Sequence, residues 1–179
     1  MITLQEHYRT EVMPMLKKEL SITNTHATPK VTKVIISVGL SRAIKDPKLM
    51  ETIEDTLIRI TGQKPVKTKA KKSIASFKIR EGMIVGMMVT LRGPRMWDFL
   101  SKFTRTTLPR IRDFRGISSS VVDEHGNASI GFRENLSFPE IRPDEVERVH
   151  GLQVTITTTA GTKVAGLALL KGLGFPFQS

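Results

Sequence analysis

Apolar side chains recur at helical spacing in four stretches of the chain, a pattern typical of helices that bury one face. The first stretch opens with a capping box from Thr3 to Glu6, and its apolar positions follow at intervals of four. Pro14 lies inside it, so we expect a kink or two helical pieces there. The apolar positions of this helix are Leu4, Tyr8, Val12, Leu16 and Leu20.

The other three predicted helices carry their own boundary residues. Asp46 and Pro47 form a good helix start, and Gly62 ends that helix. The next helix ends at Pro109, and Thr162 caps the last one. Their expected buried positions are Leu49, Ile53, Leu57 and Ile60; Met96, Phe99, Leu100 and Phe103; and Val164, Leu167, Ala168 and Leu170.

Between the helices, β-branched and alternating segments predict strands. The predicted strands are 31–38, 84–92, 117–122, 128–133 and 151–160, with a turn at 123–127. Strands that follow one another directly favour antiparallel pairing, so we expect an α+β fold with an antiparallel sheet and helices packed on one face. The other face would be free to bind a partner. We expect the 179 residues to form one domain, 1–179.

The most basic segment, 62–82, reads GQKPVKTKAKKSIASFKIREG and holds seven basic side chains against one carboxylate. Lys67, Lys69 and Lys71 are spaced two apart and would project from one face of a strand. Like charges in a row repel, a cost that a bound polyanion would remove, although a solvated lysine face is the simpler alternative. We expect this strand to lead into a long exposed basic loop with Phe77 near its tip.

Charge singles out nucleic acid as the partner to consider first. The chain has 28 Lys and Arg against 17 Asp and Glu, a net charge of +11. Residues 30–81 hold 13 basic and 5 acidic side chains, so a net +8 is concentrated there. A concentrated positive field of this kind is the electrostatic mark of a protein that binds polyanions.

Catalytic and metal-binding patterns are missing from the sequence. There is no cysteine, which excludes disulfides, thiolate catalysis and cysteine zinc sites. The four histidines are not at metal-ligand spacing, and no serine lies in a nucleophile elbow. The carboxylates after Pro143, at 144, 145 and 147, are interpreted as a solvated helix start. We therefore expect no catalytic residue, no metal and no cofactor.

No apolar run approaches the roughly 18 residues of a membrane span, and the charged amino-terminal segment does not look like a signal peptide. A cytoplasmic protein without a membrane partner is expected. Phe77 and Phe114 each lie within a basic segment, where an exposed ring would stack on a base or, alternatively, turn inward and anchor its loop. Trp97 is interpreted as a core residue. Low aromatic content favours recognition of folded RNA by shape and backbone.

Five motifs together resemble bacterial large-subunit ribosomal protein five, the family that binds 5S ribosomal RNA, and the resemblance runs end to end. The motifs are GQKPVKTKAKKSIASFKIREG, VTLRG followed by MWDF, PRIRDFRG, FPEI and VTITTTA. The resemblance implies a structural constituent of the large ribosomal subunit in the central protuberance. Its implied partners are 5S rRNA, 23S rRNA, peptidyl-site tRNA, small-subunit ribosomal protein thirteen and neighbouring central-protuberance proteins.

The resemblance also implies site residues. The positions expected to bind rRNA, with Thr68 added for its hydroxyl, are Lys33, Ser37, Gln63, Lys64, Thr68, Thr90 and Arg92. The loop expected to contact tRNA carries Lys72, Ser73, Phe77, Lys78 and Arg80. The region expected to bridge to the small-subunit head carries Arg110, Arg112, Phe114 and Arg115. Ser37 stands where the family usually has asparagine, and Ser41 where it often has glycine; the serine at 37 loses the bidentate option of an amide.

Two other functions compete with this interpretation. An RNA-cleaving or RNA-modifying enzyme would need a carboxylate or cofactor constellation, which the sequence does not offer. A free-standing RNA chaperone or regulator would use the same basic surface but bind many RNAs with little preference. The sequence pattern alone does not separate that last possibility from a ribosomal role.

Overall fold

The computed structural model describes residues 3–40, 46–142 and 149–178. Five strands form one antiparallel sheet in the order β2-β3-β1-β5-β4, so β2 and β4 are its edges. With the helices described below, this confirms the expected α+β class. The strands are β1 Val31–Gly39, β2 Val66–Lys69, β3 Ile84–Leu91, β4 Ala128–Phe132 and β5 Leu152–Thr158.

Helices occupy each of the four predicted stretches. The first stretch consists of α1 Leu4–His7, a π-helix Tyr8–Val12 and α2 Met13–Glu19. The second is α3 Pro47–Thr61, and the third is α4 Gly93–Lys102 followed by a π-helix Phe103–Thr107. The fourth is α5 Lys163–Gly172.

The irregularity expected at Pro14 takes the form of the π-helix that precedes it. The Met13 N–H donates to the Tyr8 carbonyl, five residues back, and the backbone keeps right-handed helical dihedrals at Val12 and Met13. Proline has no N–H and its ring crowds the carbonyl four residues earlier. The wider π turn places Pro14 in the first turn of α2, and the helix continues through it.

Some local predictions are wrong. Leu49 and Leu167, which were expected to be buried, are partly exposed. Residues 117–122 make isolated β-bridges, Ile117 with Phe177 and Val122 with Ala128, but form no strand. Ser119–Val121 is a 3₁₀ turn whose start is capped by the Ser118 hydroxyl, which accepts from the Ser120 N–H at 3.2 Å. Such a side-chain bond offers the backbone an alternative to a sheet ladder. On α5, Val164 is 70% exposed, because the helix buries the side that carries Ala165, Ala168 and Leu169.

The fold contains two compact units, and the first comprises residues 1–35, 91–130 and 154–179. Its core includes aromatic rings from the helices and from the tail that follows α5. The Tyr8 and Trp97 rings lie 5.5 Å apart, and the Phe103 and Phe175 rings lie 6.1 Å apart. Phe175 is 4% exposed, so the apolar tail after α5 folds back onto this core.

The second compact unit comprises residues 36–90 and 131–153. Asp46 caps α3 by accepting from the Leu49 N–H at 3.3 Å, and Gly62 ends the helix with a φ of 68°. In β3, burial alternates from Met87 onward: Met87 and Val89 are buried, whereas Met88 and Thr90 are partly exposed. One face of these strands is therefore covered and the other is open, and the open face carries the candidate site.

Candidate nucleic-acid interface

Three hydroxyl side chains lie on the open face of the sheet within the second unit. Thr68 of β2 pairs across the ladder with Gly86 of β3, which puts it on the side opposite the buried Met87 and on the side of Thr90. Ser37 of β1 alternates with the buried Ile36 and Val38, so it shares the open side of its strand. Alternating positions of a strand face opposite ways.

All three hydroxyl groups are available to a ligand. Ser37, Thr68 and Thr90 are each partly exposed, and none of their hydroxyl groups makes a hydrogen bond to another residue in the described part of the chain. A hydroxyl both donates and accepts, so such a row suits the mixed donors and acceptors of ribose and base edges. The serine at 37 presents a hydroxyl there, without the bidentate option of an amide.

Gly86 has no room for a side chain beneath this row. A Cβ built on it would lie 2.8 Å from Thr68 Oγ1 and 3.0 Å from the Val38 carbonyl oxygen. The glycine therefore lets the Thr68 hydroxyl lie over the β3 backbone. The sequence signal for this close approach is a glycine within an otherwise β-branched and methionine-rich strand.

The turn after α3 holds Gln63 in a defined position. Its N–H donates to Thr61 Oγ1 at 3.2 Å, while that hydroxyl donates to the Leu57 carbonyl at 2.6 Å. The Gln63 side-chain Nε2 donates to the Thr90 carbonyl at 3.4 Å. With its amide nitrogen engaged on β3, Gln63 retains its side-chain oxygen as an acceptor for a ligand donor.

The lysine row predicted for β2 is wrong in two respects: β2 ends at Lys69, so Lys71 lies outside the strand, and the row has an acidic partner. Lys67 Nζ lies 2.9 Å from Glu54 of α3, and Lys64 Nζ lies 3.8 Å from the same carboxylate. Lys67 is opposite Met87 in the ladder, so it points to the helix-covered side of the sheet. Glu54 is distant in sequence from the lysines, and for that reason the sequence pattern did not reveal the pair.

This pairing divides the two lysines by role. The hydrogen bond from Lys67 is the largest cause of a Glu54 pKa below its ordinary value. The Lys64 side chain is 81% exposed and sits at the longer distance, so it keeps the freedom to approach a phosphate. Lys67 therefore has a structural role, and Lys64 remains a candidate for contact with a phosphate.

Lys33 and Arg92 belong to the first unit and are described separately. Lys33 is partly exposed on β1, and Arg92 is exposed at the residue that precedes α4. Arg92 is in an extended conformation, with φ −139° and ψ 165°. A long exposed guanidinium on such a residue is suited to contact phosphate oxygens.

The segment after β2 is an ordered hairpin rather than an irregular loop. Ala70 donates its N–H to the Met83 carbonyl at 2.8 Å and accepts from the Gly82 N–H at 3.0 Å. Nearer the tip, Ile74 and Ile79 exchange backbone hydrogen bonds of 2.9 and 3.1 Å. We call residues 70–83 the basic hairpin. Its lysine and arginine side chains project from a backbone that is already paired, which lowers the entropy cost of binding.

The tip of the basic hairpin presents an aromatic ring. Residues Ala75–Phe77 form a 3₁₀ turn, and Lys78 follows with a φ of 54°. Phe77 is 71% exposed, which favours the stacking alternative over the anchoring one. Lys72, Ser73, Lys78 and Arg80 are also exposed or partly exposed, and the Ser73 hydroxyl accepts from the Glu81 N–H at 2.9 Å.

The 110–115 region has a different character. Arg110, Arg112 and Arg115 are exposed, and Arg112 lies 4.0 Å from Asp113, whose φ is 54°. Phe114 is only partly exposed, which favours the alternative in which the ring anchors its loop. Trp97 is 9% exposed, in keeping with its interpretation as a core residue.

The described residues contain no group of three or more His, Cys, Asp or Glu side chains that are placed to hold a metal ion. Within the same ranges, no helix has the length and apolar character needed to cross a membrane. The acidic cluster at 144, 145 and 147, Pro143 before it and the serine at 41 lie outside the described residues.

Comparison with known proteins identifies the family. The family model described as Ribosomal protein L5 matches residues 24–80, and the model for the C-terminus of the same ribosomal family matches residues 84–177. Proteins named Large ribosomal subunit protein uL5 from Roseiflexus sp. (strain RS-1) and Halothermothrix orenii are each 49% identical, over 98% and 99% of this chain and 97% and 99% of their own lengths.

A third relative of the same name, from Desulforapulum autotrophicum, is 49% identical over 100% of both chains. Identity at this level over nearly the whole length indicates that this chain shares both the fold and the role of the family. The chain therefore belongs to the ribosomal protein L5 family, uL5, and is a non-enzymatic structural constituent of the large subunit of the cytoplasmic ribosome.

Proposed function

We propose that this chain binds 5S rRNA in the central protuberance through its open sheet face and the residues that border it. The observation that carries the proposal is the row of three hydroxyls, Ser37, Thr68 and Thr90, which have no hydrogen-bond partner among the described residues. Phosphate contacts supply affinity, and contacts to sugars and base edges supply preference. The residues proposed to bind rRNA are Lys33, Ser37, Gln63, Lys64, Thr68, Thr90 and Arg92.

The distribution of charge supports this role. Lys64 is 81% exposed and Arg92 is exposed, so both reach outward at low cost, whereas Lys67 is committed to Glu54. A partner that relied on charge alone would not need the hydroxyl row. The combination favours a folded RNA that is read by shape and by its 2′-hydroxyl groups.

Binding to 5S rRNA and to an unrelated structured RNA across a salt titration tests the proposal. A preference of about 100-fold for 5S rRNA, roughly 2.7 kcal/mol, that survives high salt is expected. With phosphate contacts alone, the logarithm of the affinity would fall linearly with the logarithm of the salt concentration. The slope would be about 0.7–0.9 per contact, and it would be the same for both RNAs. Equal affinity for both RNAs at every salt concentration would instead support a general RNA chaperone or regulator.

A double variant that removes two positive charges tests the proposed phosphate contacts. Lys64→Gln with Arg92→Gln is expected to weaken 5S rRNA binding at least tenfold and to lower the salt slope, because two phosphate contacts are lost. Glutamine is chosen at 64 because a second carboxylate there would face Glu54. The matched control, Lys48→Gln with Lys163→Gln, changes two exposed lysines outside the proposed site and should bind as the parent chain does.

The basic hairpin is proposed to contact peptidyl-site tRNA. Lys72, Ser73, Lys78 and Arg80 are arranged around it, and Phe77 at its tip is 71% exposed. A projecting, paired hairpin with a ring at the tip is suited to reach an RNA apart from the one bound by the sheet. Deleting residues 73–79 should spare 5S rRNA binding and impair tRNA binding by reconstituted ribosomes; loss of 5S rRNA binding would mean that the hairpin contacts the other RNA.

The 110–115 region is proposed to bridge to the small-subunit head, with ribosomal protein thirteen as its partner there. Three exposed arginines around a partly exposed Phe114 support a contact that is polar and breakable. Arg112→Gln with Arg115→Gln should weaken subunit association and leave 5S rRNA binding unchanged. The proposed remaining partners are 23S rRNA and neighbouring central-protuberance proteins.

A further inference from the structure

A cavity in the first compact unit is not used by any of the contacts proposed above. It has a volume of about 340 Å³ and lies between the π-helix Tyr8–Val12, the connector before β1 and the start of α4. Ligand pockets in proteins usually begin at about 300 Å³, so the space exceeds what a simple ion requires. The lining residues that matter here are Tyr8, Arg9, His26, Thr28, Lys30 and Trp97.

Three cationic or titratable side chains surround the same space. Arg9, His26 and Lys30 are exposed, and the side chains of these three make no ion pair or hydrogen bond with any described residue. None of the described lining residues is acidic. Cations gathered without acidic partners around a concave site favour an anionic ligand, and phosphate is the anion that Arg and Lys most often bind.

Part of the cavity lining is aromatic and apolar. The Tyr8 and Trp97 rings lie 5.5 Å apart, and Met13 and Val31 also line the cavity. Burial raises the pKa of Tyr8, so its phenol stays uncharged, and its hydroxyl donates to the Pro29 carbonyl at 2.8 Å. A lining that combines aromatic rings with cationic side chains is suited to a flat heterocycle joined to a phosphate.

Local hydrogen bonds connect the segments that line the cavity. The Tyr8 hydroxyl ties the π-helix to the connector, and Lys17 Nζ donates to Thr25 Oγ1 at 2.6 Å. Asn24 Oδ1 accepts from the His26 N–H at 2.9 Å and fixes the turn that carries His26. The π-helix contributes both Tyr8 and Arg9, and π turns are frequent at functional sites.

From this arrangement we propose that the cavity is a nucleotide-binding site, in which Arg9 and Lys30 hold the phosphate and the Tyr8 and Trp97 rings face the base. The nucleotide comes either from solution or from a strand of RNA, and the chemistry of recognition is the same. The site does not rest on 5S rRNA binding, since it shares no residue with the proposed rRNA contacts.

Trp97 makes the site directly measurable, because it is the single tryptophan of the chain. Adenosine 5′-monophosphate titrated into the full-length protein should change the Trp97 fluorescence saturably, with excitation at wavelengths where the nucleotide does not absorb. Inorganic phosphate and adenosine alone should each bind at least tenfold more weakly, because each supplies half of the contacts. Phosphate that binds as tightly as the nucleotide would overturn the assignment of a nucleotide site.

Substitutions separate specific binding from a general effect of charge. Arg9→Gln with Lys30→Gln should weaken binding roughly tenfold or more, whereas Arg105→Gln with Lys163→Gln, which removes two exposed charges of the same unit outside the cavity, should leave it unchanged. Equal affinity of the two double variants, or no saturable signal, overturns the proposal.

A competition experiment between the mononucleotide and a short RNA identifies the source of the nucleotide. An unstructured pentanucleotide RNA that displaces the mononucleotide assigns the cavity to an RNA strand. A pentanucleotide that fails to compete assigns it to a free nucleotide. Because 5S rRNA binding is measured independently through Lys64→Gln with Arg92→Gln, failure at one site is distinguishable from failure at the other.

Discussion

Lys67 of β2 and Glu54 of α3 join an edge strand to the helix that covers it, through a 2.9 Å contact between the ammonium and the carboxylate. The Glu54 side chain is 17% exposed and also lies 3.8 Å from Lys64. The hydrogen bond from Lys67 lowers the pKa of Glu54 in the folded protein. A lysine-rich edge strand is thus tied to the body of the protein through this carboxylate.

Replacing that carboxylate should cost stability in a pH-dependent way. Because the pKa of Glu54 is lowered on folding, its contribution is present above the ordinary value of 4.5 and is lost as the pH falls through the lower folded value. Glu54→Gln should reduce the free energy of unfolding at neutral pH by about 0.2–1 kcal/mol, the range of partly exposed ion pairs. It should have little effect at a pH below the folded pKa of Glu54, where the carboxyl group is protonated. Urea unfolding across this pH range measures it.

Asp55→Asn provides the control for Glu54→Gln. Asp55 and Arg59 form an ion pair at 2.9 Å on the exposed side of the same helix, with side chains 59% and 47% exposed. Solvent screens such a pair, so its loss should change stability less than Glu54→Gln does. An equal loss for both variants would show that Glu54 acts through helix charge and not through Lys67.

A methyl group at Gly62 should strain the end of α3. Gly62 has a φ of 68°, and no atom of the described residues lies within 4 Å of a Cβ built on it, so backbone conformation is the obstacle to a side chain there. Gly62→Ala should destabilise the fold by about 1–2 kcal/mol. Gly39→Ala, at a glycine with equal space and no positive φ, should cost clearly less; similar losses in urea unfolding would contradict the argument from conformation.

The Gly86 position tests steric contact instead. Its Cβ would lie 2.8 Å from Thr68 Oγ1 and 3.0 Å from the Val38 carbonyl oxygen, so Gly86→Ala should cost about 1–3 kcal/mol. Removing the Thr68 hydroxyl relieves one of the two clashes. The double variant with Thr68→Ala should therefore lose less stability than the sum of the single losses, and strict additivity would show that the two groups do not meet.

Replacing Phe77 should weaken a proposed RNA contact with little effect on the stability of the fold. Its ring is 71% exposed, so Phe77→Ala should change the free energy of unfolding by less than about 0.5 kcal/mol while weakening the proposed tRNA contact. Phe103→Ala removes a ring that is 0% exposed and should cost about 3–5 kcal/mol. A destabilisation by Phe77→Ala comparable with that of Phe103→Ala would mean that the ring anchors the hairpin after all.

Much of the fold follows from local sequence. Spacing predicted each helical stretch, and Asp46, Gly62 and Thr162 act at the helix ends where they were expected. Residue pattern predicted the strand at 84–92, and in β3 the buried Met87 and Val89 alternate with Thr90 on the open face. These features depend on backbone period and capping, which act over a few residues and are therefore visible in a one-dimensional pattern.

The sequence by itself determined the class of partner, most of the secondary structure and the positions that carry charge, while tertiary structure decided which of those charges are free. Lys67 and Lys64 look alike in sequence, but Glu54 approaches Lys67 more closely only because α3 packs on that side of β2. Likewise, the pairing of Ile74 with Ile79 turned an expected loop into a hairpin. The cavity beside Thr28 arises where segments distant in sequence meet, and local patterns carry no record of such contacts.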